Sequence, residues 1–180
     1  MSKSVKDVLE RYGITAPIKR VNGNIDFEAK KLTSLEGSPK EVDGNFYCAF
    51  NKLTSLEGCP EIVYGFFDCA DNKMLTSLEG SPGKVGEDFN CSHCNLTSLE
   101  GCPKEVGGNF HCVSNNLTSL KGCPQIINGN ISCSYNELTS LEGCPKEVKG
   151  DFWCIQQRSD IDFTEKQIRA ICKVGGKVNV

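Results

Sequence analysis

The sequence predicts a repeat solenoid, and three observations carry that prediction. The phrase LTSLEG, or a one-letter variant, begins at Leu32, Leu53, Leu75, Leu96, Leu117 and Leu138, spaced 21 residues apart and once 22, at Met74. Cysteines keep to two repeat positions: Cys48, Cys69, Cys91, Cys112, Cys133 and Cys154 share one, and Cys59, Cys102, Cys123 and Cys144 share the other. Aromatic and cysteine side chains also alternate, as at Phe46 and Cys48, so that both fall on one side of a strand. A fixed period of this length means that each unit buries its apolar face against its neighbours.

The bulk composition fits one soluble domain, residues 1–180, large enough for a real core: 38% of residues are hydrophobic, 24% are charged and the formal net charge is -3. Weak acidity without basic clusters argues against nucleic acid or an anionic membrane surface as the partner. No apolar run approaches the roughly 20 residues that span a bilayer. The opening residues MSKSVKDVLERYG carry no apolar signal segment, so a reducing cytoplasm is expected. Twelve cysteines would otherwise suggest a disulfide scaffold. Phe27 fills the first cysteine column at one rung, and Ser38 and Ser81 fill the second. A packing slot tolerates such exchange, whereas a bridge would lose its partner; these are expected to be buried thiols.

Taken in order, residues 1–20 form an N-terminal cap. A helix is predicted over 4–12, capped by Ser4 with Asp7, with Val5, Val8, Leu9 and Tyr12 on one face and Gly13 as its stop. Ile14 and Val21 fit apolar slots of the repeat. Residues 21–157 form the repeats, with Val42, Phe46, Cys48, Leu53 and Leu56 pointing inward in a typical rung and Asn51 among them. Consecutive copies must run the same way, which predicts a parallel sheet of about seven short strands, roughly 30 Å long. Gly37, Gly58, Gly80, Gly101, Gly122 and Gly143 can supply positive φ, and the Pro two residues on forbids a regular helix. The return side is therefore extended or a tight turn. A second glycine set (Gly23, Gly44, Gly65, Gly86, Gly108, Gly129, Gly150) precedes each strand and bends the chain into the sheet. Residues 158–180 form a C-terminal cap. Thr164 with Gln167 makes a capping box and Phe163 staples Ile168. This helix is predicted to reach Lys173, with Ile168, Ile171 and Cys172 facing the last rung, and to stop at Gly175-Gly176.

The pattern F-x-C-x-x-N-x-L-x-x-L resembles the leucine-rich repeat, with Phe and Cys in two of the leucine slots. The resemblance covers about residues 21–157 and is nearest in spacing to the short bacterial class, including effectors of enteric pathogens. The wording LTSLEGCP with V-x-G-N-F is also similar to repeat proteins encoded by large bacterial viruses. The resemblance implies a horseshoe whose strands line a concave face, a mostly non-helical convex side and a buried Asn ladder. Asn51, Asn72, Asn115 and Asn136 match the ladder, Lys30 and Gln157 depart at its ends, and Cys94 departs in the middle. With Met74 inserted nearby, local loosening is expected there. The resemblance further implies a non-enzymatic protein-binding module, in the phage case one that blocks a host defence or metabolic protein in the host cytoplasm. A structural spacer in a virion or larger assembly is the alternative.

Three chemical readings are weaker. Cys91, His93, Cys94, His111 and Cys112 include metal-ligand types, yet strand geometry separates them and no second C-x-x-C pair follows, so no metal is expected. Cys94 beside His93 lacks the orienting partner and oxyanion site that a nucleophile needs, and no catalytic residue is assigned. Stacked cysteines on neighbouring rungs could bridge, but packing is the simpler role. No cofactor is expected, and the chain should be a monomer or weak homodimer with its sheet edges covered by the terminal helices.

Binding is better supported. The buried columns are nearly constant within the chain, while the columns facing outward from the strands vary: Asp26, Tyr47, Asp68, Asn90, His111, Ser132, Trp153; Asn24, Asn45, Phe66, Asp88, Asn109, Asn130, Asp151; and Phe50, Asp71, His93, Ser114, Tyr135, Gln156. A repeat that keeps its core and diversifies one face has that face as its recognition surface. The residues expected to contact another protein are Tyr47, Phe50, Phe66, Asp68, Asp88, Asn90, His93, His111, Tyr135 and Trp153.

Overall fold

Each repeat carries two dipeptide strands, because its apolar residues come in two clusters separated by a glycine corner: Glu41–Val42, then Asp43-Gly44-Asn45, then Phe46–Tyr47. The computed structural model describes residues 3–11, 13, 17–158 and 161–180. Tyr12 and Ile14, which the sequence places in the first helix and in a core slot, lie outside the described residues. Helix α1 (Val5–Arg11) leads into successive rungs. The first rung holds β1 (Arg20–Val21) and β2 (Ile25–Asp26), the second β3 (Glu41–Val42) and β4 (Phe46–Tyr47), the third β5 (Ile62–Val63) and β6 (Phe67–Asp68). The fourth holds β7 (Lys84–Val85) and β8 (Phe89–Asn90), the fifth β9 (Glu105–Val106) and β10 (Phe110–His111), the sixth β11 (Ile126–Ile127) and β12 (Ile131–Ser132). The seventh holds β13 (Glu147–Val148) and β14 (Phe152–Trp153); helix α2 (Glu165–Ile171) then precedes β15 (Lys173–Val174) and β16 (Val178–Asn179).

The chain is a parallel-strand solenoid with a repeat of about 21 residues. The even-numbered strands form one unbroken eight-stranded sheet from β2 to β16, one strand more than the sequence predicts. The odd-numbered strands, on the leg that the sequence reads as extended or a tight turn, form a second line split into five (β1 to β9) and three (β11 to β15). A two-residue strand leaves no alternation to recognise, so this second line is hidden in the sequence. Inside the coil, Val42, Phe46, Cys48, Leu53 and Leu56 are all 0% exposed, as the inward columns predict. Phe46, Phe67, Phe89 and Phe110 stack with ring centroids 5.6, 5.7 and 5.4 Å apart, close to the spacing of the strands that carry them. All twelve cysteines are free; burial pushes the thiols of Cys48, Cys69, Cys91 and Cys112 up in pKa, and at Cys133 the hydrogen bond with Cys154 does so first, with burial adding to it.

The Asn ladder joins rung to rung. The Asn51 Oδ1 accepts from the Leu32 N–H at 2.8 Å, and its Nδ2 donates to the carbonyls of Phe27 and Cys48 at 2.8 and 3.0 Å. Asn72, Asn115 and Asn136 repeat the arrangement. Gln157, which the sequence sets aside as a departure, continues it: its Oε1 accepts from the Leu138 N–H at 3.3 Å and its Nε2 donates to the Cys133 carbonyl at 3.2 Å. At Cys94 the expected loosening does not occur. The residue inserted at Met74 lets the Leu75 N–H bond the Asn72 carbonyl at 2.9 Å, so no side-chain acceptor is required, and Leu75 and Leu78 stay 0% exposed.

The ends differ from the prediction in detail. Lys3 and α1 stand beside the return leg of the first rung, with the Thr33 and Lys6 N–H groups bonding the Lys3 and Glu36 carbonyls at 2.8 Å. The capping box of Thr164 and Gln167 forms, but α2 ends at Ile171, and Ile171 is half exposed rather than facing the core. It stops there because Lys173 and Gly175 donate to the carbonyls of Lys146 and Val148, which starts an eighth strand pair. Gly175-Gly176 is thus a corner and not a helix stop. Among the described residues β2 and β16 end the sheet with one strand neighbour each, and α2 contacts both β15 and β16. Among the described residues no helix is long and apolar enough to cross a membrane.

Substituting Asn115→Ala leaves the Leu96 N–H and the Cys91 carbonyl without the partner it supplies, while the Cys112 carbonyl keeps only Asn136. Urea unfolding should show a loss of about 1–3 kcal/mol, against less than about 0.5 kcal/mol for the exposed Glu100→Ala.

Candidate functional site

The outer face of the eight-stranded sheet is built on a second side-chain ladder. At the corner before each even-numbered strand, Asn24 Oδ1 accepts from the Asn45 N–H at 2.9 Å, and Asn45 does the same for Phe66 at 2.9 Å. Asp88, Asn109, Asn130 and Asp151 continue it to Asn109, Asn130, Asp151 and Lys177 at 2.6, 2.7, 2.7 and 2.7 Å. The glycine set exists for this ladder. A Cβ on Gly44, Gly65, Gly129 or Gly150 would sit 2.2–2.4 Å from the Oδ1 of the rung before. The column that the sequence takes as freely varying is therefore constrained, and Asp88 has a structural task.

Two neighbouring rungs break the rule. Phe66 stands where the ladder wants Asn or Asp, and the next rung has Glu87 where it wants glycine. Gly86, which the sequence assigns to the glycine column, lies one position before it. The two departures match: a Phe carries no oxygen to collide with a Cβ at Glu87. The Phe66 ring lies edge-on to Tyr47, with centroids 5.8 Å apart at 77°, and the Tyr47 hydroxyl accepts from Asn45 Nδ2 at 2.8 Å.

The remaining predicted contact residues divide by role. Asp68 and Asn90 are half-buried, and each accepts from the backbone N–H two residues on, at 3.0 and 3.1 Å. They hold the turn after the strand. Burial, with Glu28 and Asp71 nearby, raises the Asp68 carboxyl above the usual aspartate value of 3.8 despite the Ala70 and Asn90 hydrogen bonds. His111 is half-buried, and burial lowers its pKa while Asp88 opposes the shift. Trp153 is 39% exposed on β14 and faces outward. Phe50, Asp71, His93, Ser114, Tyr135 and Gln156 all have φ between 53° and 58°. A side chain in the left-handed region costs roughly 1–2 kcal/mol relative to the right-handed one, and glycine is the usual solution. The chain uses glycine at positive φ on the return leg but none here. Phe50 and Tyr135 are nevertheless 56% and 43% exposed, so no core packing accounts for them.

The chemistry set aside in the sequence stays apart in space. Cys94 is buried with its thiol raised to about 11 by desolvation, while His93 is exposed on the outer edge. Among the described residues no group of three or more His, Cys, Asp or Glu could hold a metal ion. A concavity of about 940 Å³ lies on the second sheet, where Asn128 Nδ2 bonds the Val106 carbonyl at 3.3 Å at the break between β9 and β11. Lys84, Lys104, Glu105, Ile126, Glu147 and Lys149 line it with mixed chemistry, and nothing there converges on one group.

Comparison with known protein families, curated proteins and solved structures finds no match.

Two stability measurements check that geometry. Phe66→Asn alone drives its Oδ1 against the Glu87 Cβ and should destabilise, whereas Phe66→Asn with Glu87→Gly rebuilds an ordinary rung. The cycle in urea should give a favourable coupling of about 0.5–3 kcal/mol. Asp68→Asn keeps the turn bond, as Asn90 does one rung on. Because the folded-state pKa of Asp68 is raised, its ionised form subtracts stability above that pKa, and the penalty fades as pH falls and vanishes below 3.8. The variant should melt higher than the parent at neutral pH, and the gap should close in acid.

Proposed function

We propose that this chain is a non-enzymatic binding module that holds a partner protein on the outer face of the β2–β16 sheet. The observation that carries the reading is the column of left-handed residues, above all Phe50 and Tyr135, exposed aromatics kept where glycine would relieve the backbone. Backbone cost without packing return is what a contact surface leaves behind in the free protein. Tyr47, Phe66 and Trp153 add the side-chain types that anchor interfaces, on the same face. The finer reading adopts the leucine-rich-repeat resemblance: a phage-encoded inhibitor that occupies the surface of a host bacterial defence protein in the cytoplasm.

A photo-cross-linking residue at Ser132, on the face, should give one stoichiometric protein adduct in the cell that makes the chain. The same residue at Thr97, on the return leg, should give none. Tyr135→Gly should abolish the adduct while unfolding no more easily than Tyr135→Ala, since glycine relieves about 1 kcal/mol at positive φ. Adducts formed equally from Thr97, or only with assembled particles, would favour a spacer and overturn the binding reading.

A further inference from the structure

The partner's chemistry can be taken one step further, on the assumption that the face-binding reading above holds. The columns of Asn45, Tyr47 and Phe50 make up the outward surface of the eight-stranded sheet, and beside them the column of Ala49 is largely buried but places the exposed Glu28 in the first rung. Through the first seven rungs these columns contain Asp26, Glu28, Asp68, Asp71, Asp88 and Asp151 but neither lysine nor arginine, in a chain with 20 Lys and Arg. The second sheet is built the opposite way. There Lys40 pairs with Glu61 at 2.6 Å, Lys84 with Glu105 at 2.9 Å and Lys173 with Glu147 at 2.8 Å, so each sign meets the other across neighbouring rungs. On the outward sheet face Asp71 has Lys73 at 2.9 Å, while Asp26, Glu28, Asp68 and Asp88 have no ion-pair partner among the described residues.

These unpaired carboxylates fall on the first four rungs, around the one place where the corner ladder is broken to seat an aromatic. Tyr47 and Phe66 present a half-exposed edge-on pair, with Asp68 one strand on from Tyr47 and Asp88 in the rung after Phe66. Aromatic rings beside partly desolvated carboxylates suit a guanidinium better than an ammonium. Arginine is weakly hydrated, stacks on ring faces and grips a carboxylate with two parallel hydrogen bonds.

We propose that the N-terminal half of this face, around Tyr47, Phe66, Asp68 and Asp88, docks an arginine-bearing segment of a partner protein. The Phe66 and Glu87 departures are part of that seat. Asp68, held near like charges by the fold, is relieved when a cation arrives.

Fluorescein-labelled alternating Arg-Gly, Lys-Gly and Glu-Gly peptides, titrated with the full chain and followed by anisotropy, test it. The Arg-Gly peptide should bind most tightly and weaken with salt, the Lys-Gly peptide should bind several-fold less well, and the Glu-Gly peptide should not bind. Asp26→Asn with Asp68→Asn and Asp88→Asn should weaken Arg-Gly binding by about tenfold or more. Asn already occupies the same columns at Asn90 and Asn109, so the fold has precedent for each change. Glu61→Gln with Glu105→Gln and Glu147→Gln removes the same charge from the second sheet and should leave binding unchanged. Phe66→Asn with Glu87→Gly should erase the preference for arginine over lysine. Equal losses from both neutralised faces, no arginine preference, or concentration-dependent self-association of the parent chain that the peptide does not disperse would overturn the proposal. Loss of the Ser132 adduct described above would instead remove the reading on which it rests, and the two failures are separate because Ser132 lies outside the acidic half.

Discussion

A coil this tight leaves backbone groups unsatisfied at its corners, and most rungs meet that need with a side-chain oxygen supplied by a neighbouring rung. Two ladders meet that need. One, at Asn51 and its equivalents, runs through the interior and ties a strand end to the return leg of the rung before. The other, at Asn45 and its equivalents, runs along the outer corner and ties each rung to the one after. Buried amides left unpartnered cost about 1–3 kcal/mol each, which is enough to fix register rung by rung. The glycine column is a consequence. It leaves the space that the corner oxygen occupies.

Departures from the ladders therefore come in matched pairs. Phe66 removes an oxygen, and the rung above it is then free to carry Glu87 in place of glycine. Cys94 removes an acceptor, and the residue inserted at Met74 turns the Leu75 N–H to a backbone carbonyl instead. At the C-terminus α2 replaces the usual return leg, yet Asp151 Oδ1 still meets the Lys177 N–H at 2.7 Å and the corner ladder resumes. In each case the local rule changes on both sides of a contact, and stacking carries on across it.

Repetition made part of this legible from the chain alone. The inward Val, Phe, Cys and Leu columns, the Asn ladder and the parallel stacking all follow from residues that return at a fixed interval, and all are present. The second strand line was not legible, because Glu41–Val42 is too short to show a period. The eighth strand pair was hidden because Lys173–Val174 and Val178–Asn179 follow a helix that interrupts the count. For the face, Tyr47, Phe50, Phe66, Tyr135 and Trp153 could be placed outward from the strand phase. The roles of Asp68, Asp88 and Asn90 could not, since a carboxylate or amide that accepts a turn N–H looks in sequence the same as one waiting for a partner. The φ of Phe50 and Tyr135 was equally invisible: the wording of a repeat gives a position and not its backbone conformation.

Because both ladders and the inward stack already determine the register, the outward columns are released from specifying the fold. Carboxylates on neighbouring rungs then repel by about 1 kcal/mol per pair at 4 Å where water screens them fully and by more where they are half-buried, an opposition set against buried amides and stacked Phe rings. The second sheet shows what such columns do when nothing else is asked of them: acids and bases alternate and neutralise one another from rung to rung. The sheet from β2 to β16 had the same freedom and does not use it. Among the described residues Asp26, Glu28, Asp68 and Asp88 have no ion-pair partner, Phe50 and Tyr135 stand at positive φ, and the corner ladder is interrupted at Phe66. A surface that forgoes the arrangement its neighbour adopts is what the proposed contact with a partner protein would leave in the free chain.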